Sequence, residues 1–362
     1  MSRNSISSPD GVGDKSADVE LRRHRTVQEL AEEGGGEVPE GYICRKGDRA
    51  ASAVPLVDVP VIDLKLSASP DSVSDGELQK LQSALSSWGF FQVINHGIDC
   101  NLLDKLRENT RQFFRLPAEE KHIYARGPNE IEGYGNDMVL YENQTLDWTD
   151  RLYLLVHPED SRKLHYWPQN PKSFRIVLEE YTTRLRVIVE ILFKSMAKSL
   201  GLAEDCFLNK YGDTPMMHTR FNFYPLCPKP DVVQGVKPHA DGTAITILLP
   251  DEKVEGLQFL KDDQWIRTQI NPHALLVNVG DQMEMMSNGI FKSPVHRVIT
   301  NSYKERISVA TFCSPGSGEE VGPVEELIND TRPRLYKTVK DYYSIYFKYY
   351  QLGKRPIEAV RL

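Results

Sequence analysis

The sequence predicts a mainly β core of antiparallel strands, a sandwich or jelly-roll barrel, with helices before and after it. Three observations carry this. Short β-branched segments (MMHTRFNFY, TAITILL, EGLQFL, QWIRTQI, ALLVNVG, VHRVIT and RISVATF) recur between Gly, Pro and Asp turns. Helical periodicity precedes them, with one long pattern over about 171–201 through Phe174, Val177, Leu178, Tyr181, Leu185, Ile188 and Leu192. It returns after them in a tyrosine-rich stretch at about 333–350.

The elements follow in order. Residues 1 to about 25 are polar and rich in Ser, Gly and Asp, a composition expected to be disordered. Thr26 and Glu29 have the spacing of a capping box, opening a short helix that Gly34-Gly35-Gly36 ends. VPVIDL at 59–64 is the first expected strand. Ser74 to Glu77 offers a second capping box, followed by Leu78, Leu81, Leu85 and Trp88 on one helical face. GFFQVIN at 89–95 is a strand, and NLLDKLRENTRQFFRLP a second amphipathic helix stopped at Pro117. Residues 124–170 read mostly as loop. The divisions expected are a polar segment at 1–50, an N-terminal region at 57–170, a connecting helix at 171–213, the β core at 214–316 and a helical segment at 317–362.

Composition narrows the function. The chain has 362 residues, 44 basic and 51 acidic, for a net charge of −7. That balance lacks the basic face of a nucleic-acid binder. The longest apolar runs are too short to cross a membrane, and the N-terminus has no apolar signal-peptide core. Five cysteines without a C-x-x-C pair indicate free thiols in a reducing compartment, cytoplasmic with a nuclear share also open. No heptad pattern is present, and a monomer is expected.

The chemistry centres on HADG at 239–242. On extended backbone His239 and Asp241 share a face, placing an imidazole beside a carboxylate ahead of an apolar strand. His296, in another β-type run, supplies a third group. Two histidines and a carboxylate form the facial triad of non-haem Fe(II) oxygenases. The same set also serves hydrolytic zinc sites, so both metals stay open here. Arg306 and Ser308 share a strand face, where a guanidinium fork suits a carboxylate. Asn222 and Tyr224 repeat the two-residue spacing. Structural histidines, a surface arginine and core packing are the plainer alternatives.

In order and spacing, WGFFQVINHG, RFNFYPLCPKPD, HADG, GLQ, NVGD, NG, SPVHRV and RIS resemble the plant 2-oxoglutarate and Fe(II)-dependent dioxygenase superfamily. The resemblance runs from residue 59 to about 350. EGYGNDMV and LDWTDRLYL are similar to its specialised-metabolism branch, with the alkaloid O-demethylases, SRG-type proteins and herbicide-inactivating oxygenases of grasses.

This resemblance implies a double-stranded β-helix (jelly roll), flanked by N-terminal helices, a long central helix and a C-terminal helix. It implies Fe(II) on His239, Asp241 and His296, and 2-oxoglutarate held by Arg306 and Ser308 with Tyr224 and Asn222 assisting. O₂ is the second cosubstrate and ascorbate the reductant that maintains activity. Phe312 matches a pocket aromatic, Arg151 and Tyr153 match a loop over the pocket, and Met217 is placed near the cavity. The expected reaction hydroxylates a hydrophobic small molecule, or O-demethylates it through hydroxylation, releasing succinate and CO₂. An oxidase that binds iron without consuming 2-oxoglutarate and a non-catalytic ligand-binding descendant are the rival readings.

Overall fold

The computed structural model describes residues 25–33, 36–44, 54–67, 73–128, 130–137, 144–212, 214–269, 271–316 and 318–362. The disorder expected for residues 1–24, and the Gly34-Gly35 part of the first helix stop, lie outside them. Helix α1 (Val27–Glu32) opens on the expected capping box: Thr26 N–H donates to Glu29, and Glu29 N–H to the Thr26 hydroxyl. Strands β1 (Leu56–Val57) and β2 (Val61–Asp63), helices α2 (Leu64–Ser67) and α3 (Val73–Ser87), and strand β3 (Phe90–Ile94) follow. Because α3 begins at Val73, Ser74 lies inside the helix, and the Glu77 carboxylate instead accepts from the Asp63 N–H. Helices α4 (Cys100–Phe114) and α5 (Ala118–His122), then strands β4 (Gly133–Gly135) and β5 (Asp150–His157), complete the first part.

Strand β5 corrects the loop expected over 124–170. Its LYLLV run is buried on both sides, so the alternation that marks a half-exposed strand is absent. Arg151 and Tyr153 therefore stand on a strand, not on a loop. Helices α6 (Phe174–Ser199) and α7 (Cys206–Tyr211) lead into β6 (Met216–Tyr224), β7 (Gln234–His239), β8 (Ile245–Leu249), β9 (Leu257–Lys261), β10 (Gln264–Thr268) and β11 (Leu275–Val279). Helix α8 (Asp281–Met286), strands β12 (His296–Ile299), β13 (Arg306–Ser314), β14 (Glu320–Val321) and β15 (Val339–Lys340), and helix α9 (Tyr342–Gln351) close the fold. The last helix is shorter than the 333–350 stretch: Asp341, at φ 49°, caps it and accepts from Ser344 N–H.

Two sheets make the jelly roll. The larger has the order β2-β3-β11-β8-β13-β6-β5-β4, the smaller β1-β10-β9-β12-β7. Strands β2 to β5 thus extend the larger sheet from outside the 214–316 span. Side-chain parity divides its two faces. Leu152, Met217, Phe221, Phe223, Ile247, Val277 and Val309 join the core beneath the helices. Their neighbours Asn222, Tyr224, Thr246, Asn278, Arg306 and Ser308 line the space between the sheets. Phe223, the middle residue of N-F-Y, stacks on Phe114 at 5.1 Å. All seven expected α6 residues are buried in that core. The methionines of α8 (Met283, Met285 and Met286) fill it as well. Asn288 (φ 49°) and Gly289 (φ 76°) form the expected turn before β12. Among the described residues no helix is long and apolar enough to cross a membrane.

Helix α6 is the layer against which the larger sheet packs, and Leu185, fully buried, lies at its middle. Leu185→Ala is expected to lower unfolding stability by about 2–5 kcal/mol in urea titrations. A loss below about 1 kcal/mol would mean the site collapses around the deletion.

Candidate metal centre and cosubstrate cavity

His239 is the last residue of β7, and Asp241 lies in the segment that crosses from the smaller sheet to β8 in the larger. The pair shares a face as expected, but at a crossing between sheets. His296 opens β12 directly opposite His239 in the β7 ladder. Their rings sit 4.2 Å apart, and one ligand atom from each of His239, Asp241 and His296 lies within 4.8 Å of the others.

Hydrogen bonds orient each group. His239 Nδ1 meets the Lys237 carbonyl at 2.8 Å, and His296 Nδ1 the Pro294 carbonyl at 3.2 Å. A carbonyl only accepts, so Nδ1 carries the proton and each Nε2 offers a lone pair to the centre. Asp241 Oδ2 accepts from Thr246 Oγ1 and Asn278 Nδ2, both at 2.6 Å. Oδ1 is left facing the histidines at 3.5 and 3.7 Å. Burial, and secondly the neighbouring His239, push the His296 imidazole down to about 4, so it stays unprotonated at neutral pH. Burial alone would raise the Asp241 carboxyl. His296, His239 and the Thr246 hydroxyl outweigh it and hold the group well below the usual carboxylate range.

Thr246 and Asn278 were not singled out from sequence. Their signal is parity: each is a polar residue at a lumen-facing position of an otherwise apolar strand. Two histidines and one carboxylate oxygen, on one side of an open space, fit a divalent iron with free positions.

The cavity that reaches the triad also reaches Arg306. Strands β13 and β6 pair Arg306 with Tyr224 and Ser308 with Asn222. Asn222 Nδ2 donates to Ser308 Oγ at 3.2 Å, and the Arg306 guanidinium lies over the Tyr224 ring at 5.0 Å. Arg306 is 4% exposed, yet its Nε and Nη1 have no hydrogen-bond partner. A buried guanidinium with free donors is costly, and an added carboxylate satisfies it. The far end of a dicarboxylate such as 2-oxoglutarate fits that requirement.

A second cavity also borders His239 and Asp241. Phe312 lines both. Tyr153 stacks on His218 at 5.2 Å and meets the Tyr343 hydroxyl at 3.3 Å. Arg151 donates to the Ile131 carbonyl at 3.1 Å. Burial, then the charges of Arg220 and Arg126, lower its guanidinium to about 9. Arg220, not singled out from sequence, lines this cavity and the cosubstrate cavity alike, and its shielded Nε and Nη2 have no partner. Tyr343, Phe347 and Gln351, four residues apart on α9, form the opposite wall. Met217 is not part of either wall: its parity turns it into the core under the helices, while Met216 borders a neighbouring cavity.

Two outcomes are expected. His239→Ala or Asp241→Ala abolishes iron-dependent turnover while circular dichroism stays native, because a centre with open positions contributes less to folding than a closed one. Unfolding of both variants would indicate a structural metal instead. Arg306→Ala weakens 2-oxoglutarate binding and spares iron binding, each measured by anaerobic titration; unchanged 2-oxoglutarate affinity would remove Arg306 from the site.

Comparison with known proteins places this geometry. Residues 203–315 match the 2OG-Fe(II) oxygenase superfamily, and 59–172 match the non-haem dioxygenase in morphine synthesis N-terminal family. Jasmonate-induced oxygenase 4 of Arabidopsis thaliana is 38% identical, covering 93% of this chain and 97% of that protein. Codeine O-demethylase of Papaver somniferum is 39% identical, covering 86% and 88%. A crystal structure of JOX2 in complex with 2OG, Fe and JA superposes with a TM-score of 0.84 at 35% identity, covering 93% of this chain and 98% of that one. With nearly full-length relatives on both counts, the chain belongs to the 2OG-Fe(II) oxygenase superfamily and is an Fe(II)- and 2-oxoglutarate-dependent oxygenase.

Proposed function

We propose that this oxygenase hydroxylates an apolar small molecule carrying one acidic group, with His239, Asp241 and His296 as the iron ligands. Arg306 and Ser308, assisted by Asn222 and Tyr224, take the distal carboxylate of 2-oxoglutarate. The observation that carries the substrate class is Arg220, which lines the second cavity beside Arg151 with Nε and Nη2 shielded and without a partner. The carboxylate beside them, Asp137, is paired with Lys237 at 3.4 Å, so the two arginines leave the cavity a cationic excess that favours an anion and opposes a cationic amine. The remaining walls are largely aromatic, matching an apolar body. The neighbour solved with JA and the codeine demethylase bracket the choice, and the arginine pair separates them.

Bound iron and 2-oxoglutarate supply an oxidative decarboxylation to succinate and CO₂ that delivers one oxygen atom of O₂ to a substrate C–H bond. The protein supplies position. Arg306 fixes one end of the cosubstrate cavity, so the other end meets the triad. Arg151 and Arg220 anchor the acid on the wall of the substrate cavity, leaving the apolar part against its aromatic residues beside His239 and Asp241. Phe312 lies where the two spaces meet. If the carbon presented is an O-methyl, the same step ends in loss of formaldehyde. The scattered free cysteines fit a reducing compartment, and a cytoplasmic monomer remains the reading that goes with them.

The test begins anaerobically. Protein loaded with Fe(II) and 2-oxoglutarate is expected to show the visible charge-transfer band of a chelated 2-keto acid. Succinate release is then measured over a panel of apolar acids, their methyl esters and cationic alkaloids. The acids are expected to be favoured, and Arg220→Gln to raise KM for them about tenfold with a smaller change for the esters. Equal turnover of acid and ester, or preference for an amine, would refute the substrate class.

A further inference from the structure

Tyr342, Tyr346 and Tyr350 are spaced four apart on α9, and their three hydroxyls end on the segment that carries two metal ligands or on its supports. Tyr342 donates to Asp281 Oδ2 at 2.7 Å, and Asp281 N–H donates to the Asp241 carbonyl at 2.7 Å. Tyr346 donates at 3.0 Å to the carbonyl of Ala240, the residue between His239 and Asp241. Tyr350 donates to Asp147 Oδ2 at 3.2 Å. The other oxygen of Asp147 accepts from Lys237 N–H at 2.8 Å, and the Lys237 carbonyl is the group that orients His239.

The rings reinforce the bonds. Tyr350 meets His239 edge-on at 5.5 Å and 83°, and stacks on Tyr346 at 5.7 Å. Tyr346 lies so close over Gly242 that a Cβ there would overlap its ring. Aromatic residues at helical spacing most often do no more than fill a core. Phenylalanine would fill this space equally well, however, and would take the tyrosine donor from the Ala240 carbonyl and the Asp281 carboxylate, and one of two donors from Asp147 Oδ2.

We infer that Tyr342, Tyr346 and Tyr350 are positioning residues: through their hydroxyls, α9 holds the His239–Asp241 segment in the shape that presents Nε2 and Oδ1 to the metal. None of the three touches the centre with its hydroxyl. Each acts through a backbone carbonyl or through a carboxylate one bond removed. The inference rests on the iron triad and is independent of the substrate assignment.

The test uses the full-length chain, free of metal, titrated anaerobically with Co(II) alone and followed by the ligand-field absorption of the bound ion. Tm of the metal-free protein is measured in parallel. Tyr346→Phe with Tyr350→Phe is expected to weaken Co(II) binding about tenfold, with an altered band and a nearly unchanged metal-free Tm. Each single variant is expected to lose less, and gives the same reading if the double variant does not fold. Tyr343→Phe, whose hydroxyl meets Tyr153 and not the segment, is expected to bind Co(II) as the unaltered chain does. Co(II) affinity of the double or the single variants within twofold of the unaltered chain overturns the inference. So does an equal loss in Tyr343→Phe, which would reduce the effect to docking of the helix. Binding by the unaltered chain reads the triad; only the difference between chains reads the tyrosines.

Discussion

The centre depends on keeping one carboxylate, Asp241, ionised, buried and turned so that a single oxygen faces the histidines. An unsupported buried carboxylate would sooner take up a proton than stay charged. Here Thr246 and Asn278 saturate Oδ2, and the backbone on both sides is fixed by a short helix. Gly280 caps α8 with its Cα against Thr243, where a Cβ would overlap the carbonyl. That approach lets the Asp281 and Gln282 N–H groups reach the Asp241 and Thr243 carbonyls at 2.7 and 3.1 Å. The segment between the sheets is therefore held by the amides of α8 on one side and the hydroxyls of α9 on the other.

The cosubstrate side depends on register instead. Arg306 opposite Tyr224 and Ser308 opposite Asn222 hold only for one alignment of β13 on β6. A slip of β13 by one residue would turn Arg306 and Ser308 toward the helices and bring Ile307 and Val309 into the cavity. The apolar set on the reverse face, Phe221, Phe223, Ile307 and Val309, is buried in the helix-covered core and opposes that slip. The same hydrophobic pattern that folds the sheet thus aims its polar residues.

Much of this was legible from sequence because it obeys period two. Arg306 and Ser308, or Asn222 and Tyr224, need only a strand to share a face, and all seven β-type segments are strands. His239 and Asp241 were paired correctly for an incomplete reason: the chain changes sheets between them, which spacing alone does not encode. Strand β5 stayed hidden because burial on both sides erases alternation, and with it went the true setting of Arg151 and Tyr153. Strand β7 stayed hidden because QGVKPH mixes Gly, Pro and Lys, and its lysine is buried by pairing with Asp147 and Asp137. Met217 was misplaced by one step of parity. Arg220 and the α9 tyrosines carry a signal only once it is known which side of their element faces the metal.

Helix α9 also has two jobs written on adjacent rows. Tyr342, Tyr346 and Tyr350 tie it to the metal segment and its supports, while Tyr343, Phe347 and Gln351 face the ligand space, which Tyr346 and Tyr350 also border. The rows touch, with the Tyr343 and Tyr346 rings 6.1 Å apart, but their hydroxyls end on different partners. Selectivity and metal retention are consequently separable at two positions of this helix, Phe347 and Gln351, which border the ligand space without joining the tyrosine bonds. Variation confined to those two changes the shape of the ligand space while the hydroxyls stay in place, which makes them the natural positions to diversify when retargeting the enzyme.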